Sequence, residues 1–231
     1  MAHDGTGRSE QLERSFQTEI LDDPAVSDDV RERSRADMIW IHRRLGNLAA
    51  VLRLLRADPN PVRSLLDIGC GSGDVLRELG RELGVSVLGV DLTLPANPPA
   101  PMLELDAVRD PLPEADVAIS LLLAHHLSDE DLAALIRNVG RSCRRFILLD
   151  LVRRRLPLLL FRIFVAPFLD PVSVTDGYLS IRRAYSPREL CRLVAGAVAG
   201  TGASFRHSVT RFSTRQIVDI SYNSSGSQEH T

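Results

Sequence analysis

The chain has 231 residues, with 28 basic and 30 acidic side chains that give a formal net charge of −2. This length and charge predict one globular unit of ordinary size. All of the basic residues are arginine. Chemistry that needs a lysine amine is therefore excluded: a pyridoxal-phosphate Schiff base, a lysine aldolase, or a phosphate-binding loop with its lysine.

Arginine is concentrated in one third of the chain. Residues 141–215 contain 14 arginines against four acidic residues, which is a local charge of +10. This excess predicts a face that attracts an anionic substrate, an acidic partner protein or an anionic membrane surface. The alternative is a set of solvated arginines paired with acids from the rest of the chain.

The remaining composition predicts a reducing compartment. Cys70, Cys143 and Cys191 are widely spaced and lack metal-ligand neighbours, so neither a disulfide framework nor a metal site is expected. The polar N-terminus lacks the apolar stretch of a secretory signal, which predicts a cytoplasmic protein. The longest apolar run, residues 156–169, is too short to span a membrane.

Helix and strand patterns alternate along residues 10–222, which we expect to form one domain between disordered termini at 1–9 and 223–231. A helical N-terminal cap is predicted over 10–60. Within the core at 63–150, the patterns in chain order are strand 63–68, helix 73–83, strands 85–90, 102–105 and 115–120, helix 129–139 and strand 145–149. Near-continuously apolar strands separated by helices predict an α/β fold with a doubly wound, mostly parallel sheet.

This rhythm changes after Asp150. Residues 151–200 are predicted to hold an insertion, with an apolar segment at 156–169, a polar loop at 170–180 and a helix that starts at Ser186-Pro187. Two strands at 204–211 and 215–222 complete a seven-stranded sheet, and their closeness in sequence predicts an antiparallel pair.

A glycine turn follows the first strand, in the sequence Asp67-Ile68-Gly69-Cys70-Gly71-Ser72-Gly73-Asp74. Such a turn lets a ligand approach the backbone and aims helix N-terminal amides at it. The dinucleotide fingerprint requires glycine where this chain has Asp74, and a carboxylate there disfavours a pyrophosphate. The turn therefore favours a nucleoside ligand without phosphates.

Acidic residues end the neighbouring strands. Asp91 follows Gly71 by 20 residues, the position from which a carboxylate accepts hydrogen bonds from ribose hydroxyls. Asp106, followed by Ala107, can accept from an adenine amine, and Asp67 can orient the turn or bind a cationic amine. Each aspartate alone is also typical of a turn cap. Their shared place at successive strand ends favours the nucleoside site.

Residues 63–150 resemble the S-adenosylmethionine-binding core of class I methyltransferases, through the glycine turn, Asp91 and Asp106. The stretch 116–127, which contains Ala124-His125-His126-Leu127, is similar to a loop in small-molecule and quinone-type bacterial methyltransferases. The resemblance implies a Rossmann-like fold, S-adenosyl-L-methionine as cofactor and S-adenosyl-L-homocysteine as product. The implied cofactor contacts are Asp67, Gly69, Cys70, Gly71, Ser72, Gly73, Asp91, Leu92, Asp106, Ala107, Leu121 and Leu122.

Methyl transfer to a protonated nucleophile uses a base. His125 and His126 follow the fourth strand and Asp150 ends the fifth, so we expect these three residues to remove the acceptor's proton. The alternatives are a buried structural histidine and a turn-capping aspartate.

The acceptor side is expected in the insertion. The apolar segment at 156–169 predicts a lid over a lipophilic acceptor; a packed helix and a membrane-surface contact are its alternatives. Polar contacts to the acceptor are predicted for Arg153, Tyr178, Arg183 and Tyr185.

The resulting hypothesis is an enzyme that O-methylates a phenol, enol or carboxylate on an aromatic or polyketide-like natural product. The acceptor is expected to be lipophilic and anionic, or bound to a carrier. C-methylation of a quinone-type ring and a non-catalytic regulatory protein that binds S-adenosylmethionine are the alternatives, and a homodimer is left open. No nucleic-acid partner is expected, since no basic stripe with interleaved aromatics is present.

Overall fold

The computed structural model describes residues 12–23 and 25–222. The disorder predicted for residues 1–9 and 223–231 lies outside these described residues. No helix in the described part of the chain is both long enough and apolar enough to cross a lipid bilayer.

Across residues 12–23 and 25–222, seven strands form one sheet in the order β3-β2-β1-β4-β5-β7-β6. The first five strands pair in parallel, and β7 pairs antiparallel with both β5 and β6. This confirms the predicted fold and the antiparallel terminal pair. The strands are β1 (Ser64–Ile68), β2 (Ser86–Asp91), β3 (Met102–Glu104), β4 (Ala115–Leu121), β5 (Cys143–Leu151), β6 (Ser204–Val209) and β7 (Arg215–Ser221).

Helices cover both faces of the sheet because its central strands are apolar on both sides. Leu66 packs with α4 and α7 on one face, and its neighbour Leu65 packs with α2 and α3 on the other. The helices are α1 (Asp28–Arg44), α2 (Asn47–Arg56), α3 (Asp74–Leu83), α4 (Asp129–Ser142), α5 (Arg155–Phe164), α6 (Pro171–Arg183) and α7 (Pro187–Val198).

The loop predicted at 170–180 is wrong, because this segment is helix α6. Asp170 caps the helix by accepting a hydrogen bond from the Val172 N–H, and Pro171 occupies the first turn. Val174, Tyr178 and Ile181 recur at helical spacing and pack against α5. Its many polar residues and Gly177 conceal this helix in the sequence.

The N-terminal residues differ from the helical cap predicted over 10–60. Helix begins only at Asp28, and residues 12–22, the N-terminal strap, contain a single short helical turn at Ile20–Asp22. The strap crosses α6: the Ser15 N–H donates to the Arg182 carbonyl at 3.0 Å. The N–H groups of Ile20 and Leu21 donate to the Asp176 carboxylate at 2.8 and 3.0 Å.

Two helical glycines provide a matched test of the packing between α5 and α6. A Cβ added at Gly196 of α7 meets nothing within 4 Å, whereas one at Gly177 would clash with the Phe161 ring. We expect Gly196→Ala to raise the free energy of unfolding by about 0.5–1 kcal/mol through helix propensity. Gly177→Ala should give no gain, because the Phe161 ring must move. Urea denaturation measures both, and an equal gain would contradict this contact.

Candidate active site

The glycine turn leaves open space above its backbone. Gly69, Gly71 and Gly73 have positive φ values of 70°, 54° and 76°, a region that disfavours other residues. The Gly71 N–H donates to Asp91 Oδ2 at 2.7 Å, which joins the turn to the end of β2. A Cβ added at Gly71 would meet no atom within 4 Å, so the space there fits a ligand.

Asp67 lies buried beneath this turn. Its Oδ1 has no hydrogen-bond partner among the described residues. Burial, with a smaller contribution from Asp91, raises the pKa of Asp67 to about 7. A cationic group placed above the turn would satisfy this oxygen and favour its charged form.

Five of the sequence-predicted cofactor residues line one cavity of about 260 Å³ beside the turn. They are Gly69, Asp91, Leu92, Asp106 and Ala107. Leu123, which the sequence reasoning missed, closes the cavity from the loop after β4.

Asp106 lies at the rim of this cavity, where it accepts a hydrogen bond from the Val108 N–H at 2.9 Å and pairs with Arg109. Its carboxylate therefore has protein partners as well as a face toward the cavity.

Cys70 and Ser72 stabilise the turn. The Cys70 thiol packs on Gly89, where a Cβ would lie 2.5 Å from its sulfur, and burial raises its pKa. Ser72 donates to Asp74 at 2.8 Å, and Asp74 also pairs with Arg35 and Arg77. The carboxylate that replaces the fingerprint glycine is thus tied to α1 and α3.

Leu121, the last residue of β4, and Leu122, which follows it, differ in what their side chains contact. Leu121 is buried in the core with Val117 and Ile119, whereas Leu122 lines the cavities on the acceptor side. Leu122 has a φ of 58°, which is strained for a bulky side chain, and its N–H donates to the Leu149 carbonyl at 2.8 Å. Leu122 therefore combines a strained backbone with a place in the lining of both cavities.

His125 and Asp150 form a buried pair, as the sequence predicts for residues at adjacent strand ends. His125 Nδ1 lies 2.7 Å from Asp150 Oδ1, and the His125 backbone N–H donates to Oδ2 at 2.7 Å. Burial opposes protonation of His125, but the charge and hydrogen bond of Asp150, together with the charge of Glu19, outweigh it, so the pKa of His125 is raised. Because a carboxylate only accepts, Nδ1 carries the proton and Nε2 is left to accept one.

His126 differs from its neighbour. Its ring lies 4.3 Å from the His125 ring, centroid to centroid. Burial, then the nearby charges of His125 and Arg183, lower the pKa of His126 to about 4. At neutral pH it is therefore an uncharged and weak base.

Glu19 is a site residue that the sequence reasoning missed. The N-terminal strap places its carboxylate 3.7 Å from His125 Nε2 and 3.8 Å from His126 Nε2. Burial raises the pKa of Glu19. No motif surrounds this residue, so only the packing of the strap could have revealed it.

The ligand atoms of Glu19, His125 and His126 all lie within 4.8 Å of one another, a spacing that could hold a metal ion. The sequence analysis predicts no metal site, and Glu19 is distant along the chain from the two adjacent histidines. The arrangement therefore supports either a proton-transfer group or a metal site.

Two predicted acceptor contacts are structural instead. Arg153 is buried, pairs with Glu189 at 2.7 Å and donates to the Leu12 and Ala184 carbonyls. Tyr185 is also buried, and its hydroxyl donates to the Leu127 carbonyl at 3.1 Å. The predicted contacts of Arg153 and Tyr185 with the acceptor are wrong, because both side chains are committed to internal partners.

The other two predicted acceptor contacts are Tyr178 and Arg183. Tyr178 packs edge-on against Phe161 with ring centroids 5.2 Å apart. Arg183 lies 3.8 Å from Glu19 and 3.4 Å from Asp22, so it balances the acidic residues beside the histidines.

Two further cavities adjoin each other through shared lining residues, and Leu122 is one of these. The smaller, of about 130 Å³, is lined by Glu19, His125 and His126, and the larger, of about 550 Å³, is almost wholly apolar. Their shared lining residues include Ile41, Leu45, Leu122, Leu151, Phe161 and Ile181. The larger cavity is thus apolar, and the smaller one has the histidine pair in its lining.

Comparison with known structures supports the fold. The plantazolicin methyltransferase BpumL, in complex with a monoazolic desmethylPZN analog and SAH, has a TM-score of 0.66 at 13% identity and covers 85% of this chain and 91% of its own. The methyltransferase domain of bacterial-CtHen1-C has a TM-score of 0.57 at 17% identity, with 77% and 97% covered. Magnesium protoporphyrin IX methyltransferase (ChlM) from Synechocystis PCC 6803 with bound SAH has a TM-score of 0.52 at 20% identity, with 87% and 90% covered.

At these identities the structural similarity establishes the fold alone. No curated protein sequence gives a significant match. A family model described as a methyltransferase domain matches residues 39–173, which is more than half of the chain. The match includes the glycine turn, Asp91, the histidine pair and Asp150, and the chain belongs to this methyltransferase domain family.

Proposed function

We propose that this methyltransferase uses S-adenosylmethionine to methylate a hydroxyl oxygen, of the phenol or enol type, on an apolar small molecule of natural product biosynthesis. One observation carries the proposal: the buried His125, paired with Asp150, lines a small cavity that shares apolar walls with a larger apolar one. The structural neighbours include a plantazolicin methyltransferase and a magnesium protoporphyrin IX methyltransferase. Their acceptors differ, so the acceptor is argued from the cavity.

The crevice residues fit the cofactor. We assign Asp91 to the ribose hydroxyls and Asp106 and Ala107 to the adenine, which is supported by their shared place in the lining of the crevice. We assign Asp67 to the cationic amine, because its Oδ1 lacks a partner among the described residues. When bound, S-adenosylmethionine supplies a methyl group activated on a sulfonium. The open space above Gly71 lets that ligand approach the backbone.

Proton removal belongs to His125. Asp150 holds its Nδ1–H, which leaves Nε2 to take the proton of an acceptor hydroxyl, and the same carboxylate stabilises the imidazolium that results. A carboxylate acceptor is already ionised at neutral pH and needs no base. The base therefore favours a phenol or enol over a carboxylate as the methylated group.

The alternatives share part of this chemistry. Removal of a ring hydroxyl proton would also activate a ring carbon, so C-methylation of a quinone-type ring uses the same base, and mass spectrometry with NMR of the product separates the two. A non-catalytic binder would show cofactor affinity with no turnover.

The overall test has two stages. Thermal stabilisation by S-adenosylhomocysteine but not by NAD is expected, followed by methyl transfer to a member of a panel of phenols and enols. Stabilisation by NAD alone would overturn the cofactor assignment. Cofactor binding with no transfer across the panel would count against the catalytic proposal.

Alanine variants of two glycines distinguish the loss of a cofactor contact from the effect of backbone strain alone. Gly71 and Gly84 have positive φ values of 54° and 66° and open space at the Cβ position, but Gly84 ends α3 away from the crevice. Each change to alanine should cost about 1–2 kcal/mol of stability. Only Gly71→Ala should weaken S-adenosylhomocysteine binding, by tenfold or more in calorimetry. Equal affinities in the two variants would refute the contact.

The raised pKa of Asp67 predicts a pH-dependent stability of the cofactor-free protein. Between its unfolded value of 3.8 and its folded value of about 7, the folded state binds the proton more tightly. The free energy of unfolding therefore falls as pH rises through this window, by up to about 1.4 kcal/mol per pH unit. Denaturation of wild type and Asp67→Asn from pH 5 to 8 tests this, since the variant should lack that contribution. If the free energy of unfolding has the same pH dependence in wild type and in Asp67→Asn, then Asp67 does not titrate between pH 5 and 8.

The histidines should differ in their effect on turnover. His125→Gln should lower turnover by about 10²-fold or more, as expected for loss of a general base, and His126→Gln by much less. Because Asp150 raises the pKa of His125, wild-type turnover should fall as pH drops through that raised pKa. Asp150→Asn should move this acid limb to lower pH. Cofactor affinity should stay nearly unchanged in all three variants.

The same measurements distinguish the base from a metal. We expect EDTA to leave turnover unchanged. Loss of turnover with EDTA and recovery with a divalent cation would replace the base with a metal held by Glu19, His125 and His126.

A further inference from the structure

The larger acceptor cavity has one charged residue in its lining. Its walls come from α1, α5 and α6 and from the strand ends, and its polar lining residues are Asn47, Thr214 and Arg215. Glu19 and Asp176 belong to the smaller cavity around the histidines. The acidic lining residues and Arg215 therefore belong to different cavities.

Arg215 has no acidic partner in the described part of the chain. Its Nη1 donates to Asn47 Oδ1 at 2.5 Å, and that side chain in turn contacts His42. By contrast, Arg145 pairs with Asp58 and Asp219, and Arg153 pairs with Glu189. Burial alone lowers the pKa of Arg215.

A half-buried guanidinium without a counter-charge is costly, because desolvation weakens its charged form and no carboxylate compensates. Its planar fork is suited to a carboxylate, which it binds through two parallel hydrogen bonds. The Asn47 contact engages one part of the fork and fixes its position. The other donors remain available to a group in the cavity.

We propose that the larger cavity binds an acceptor with an apolar body and a carboxylate, and that Arg215 binds this carboxylate. The proposal rests on the proposed function of the neighbouring site. The carboxylate is distinct from the methylated group, because Arg215 lines only the larger cavity and His125 only the smaller one. Arg215 thereby selects anionic acceptors and orients their hydroxyl end toward His125.

The test compares an acid with its neutral amide. Calorimetric titration of the protein with 2-naphthoate and with 2-naphthamide, in the presence of S-adenosylhomocysteine, measures the preference for the charge. We expect wild type to bind the acid at least tenfold more tightly. Similar affinities for the two ligands in wild type would overturn the proposal.

Two arginine variants test whether Arg215 causes the preference for the acid over the amide. Arg215→Gln should reduce the ratio of the two affinities to about one, whereas Arg211→Gln, an exposed arginine nearby, should keep it. A ratio retained in Arg215→Gln would assign the anion to another residue. If Arg215→Gln folds poorly, Arg215→Lys replaces it in the test. This variant keeps the charge but lacks the planar guanidinium, so its ratio of affinities for acid and amide should lie between the wild-type ratio and one.

The test measures ligand affinity and not turnover, so the anion site can fail or hold independently of the proposed methyl transfer. Absence of turnover with an intact acid preference would remove the enzymatic proposal and leave the anion site. Normal turnover on neutral phenols with no acid preference would remove the anion site alone.

Discussion

Asp150 is a buried carboxylate at the carboxyl end of β5, and it accepts three hydrogen bonds at 2.7 Å. Two come from the backbone N–H and Nδ1 of His125, and the third comes from the Leu151 N–H. A buried carboxylate without such donors would be strongly destabilising, so the loop after β4 is held against β5 in one arrangement. That arrangement fixes the histidine tautomer and directs Nε2 toward the acceptor cavity. Asp150 thus links the stability of the sheet edge to the chemistry above it.

The arginines of residues 141–215 divide between exposed side chains and a smaller set that forms internal ion pairs. Arg144 and Arg145 share Asp58, Arg153 binds Glu189, and Arg183 lies beside Asp22. Asp58 and Asp22 lie outside residues 141–215, so the alternative of arginines paired with acids from the rest of the chain describes these pairs, but Glu189 lies within that segment. Arg215 differs, since its guanidinium faces an apolar cavity with only an amide partner. A charge count along the chain cannot separate one such residue from the rest.

The acceptor side depends on segments that lack motifs. The N-terminal strap brings Glu19 to the histidines, and it is held there by Asp176 of α6. Helix α6 packs on α5, whose Phe161 lines both cavities. Leu122 lines both cavities, and its strained backbone is held by the hydrogen bond that its N–H donates to the Leu149 carbonyl. Each of these contacts joins residues that are distant in sequence.

The sequence by itself determined the sheet, the glycine turn and the aspartates at the strand ends. These signals are local, and a parallel sheet brings the carboxyl ends of its strands to one edge, which is why Asp91 and Asp106 line one cavity and His125 meets Asp150. Tertiary structure alone decided that His125 and not His126 is the stronger base, since burial and neighbouring charge set the two pKa values apart. It also decided that Arg153 and Tyr185 are internal, and that Glu19 and Arg215 face the acceptor cavities. Those outcomes depend on which segments pack together, and no local pattern encodes that packing.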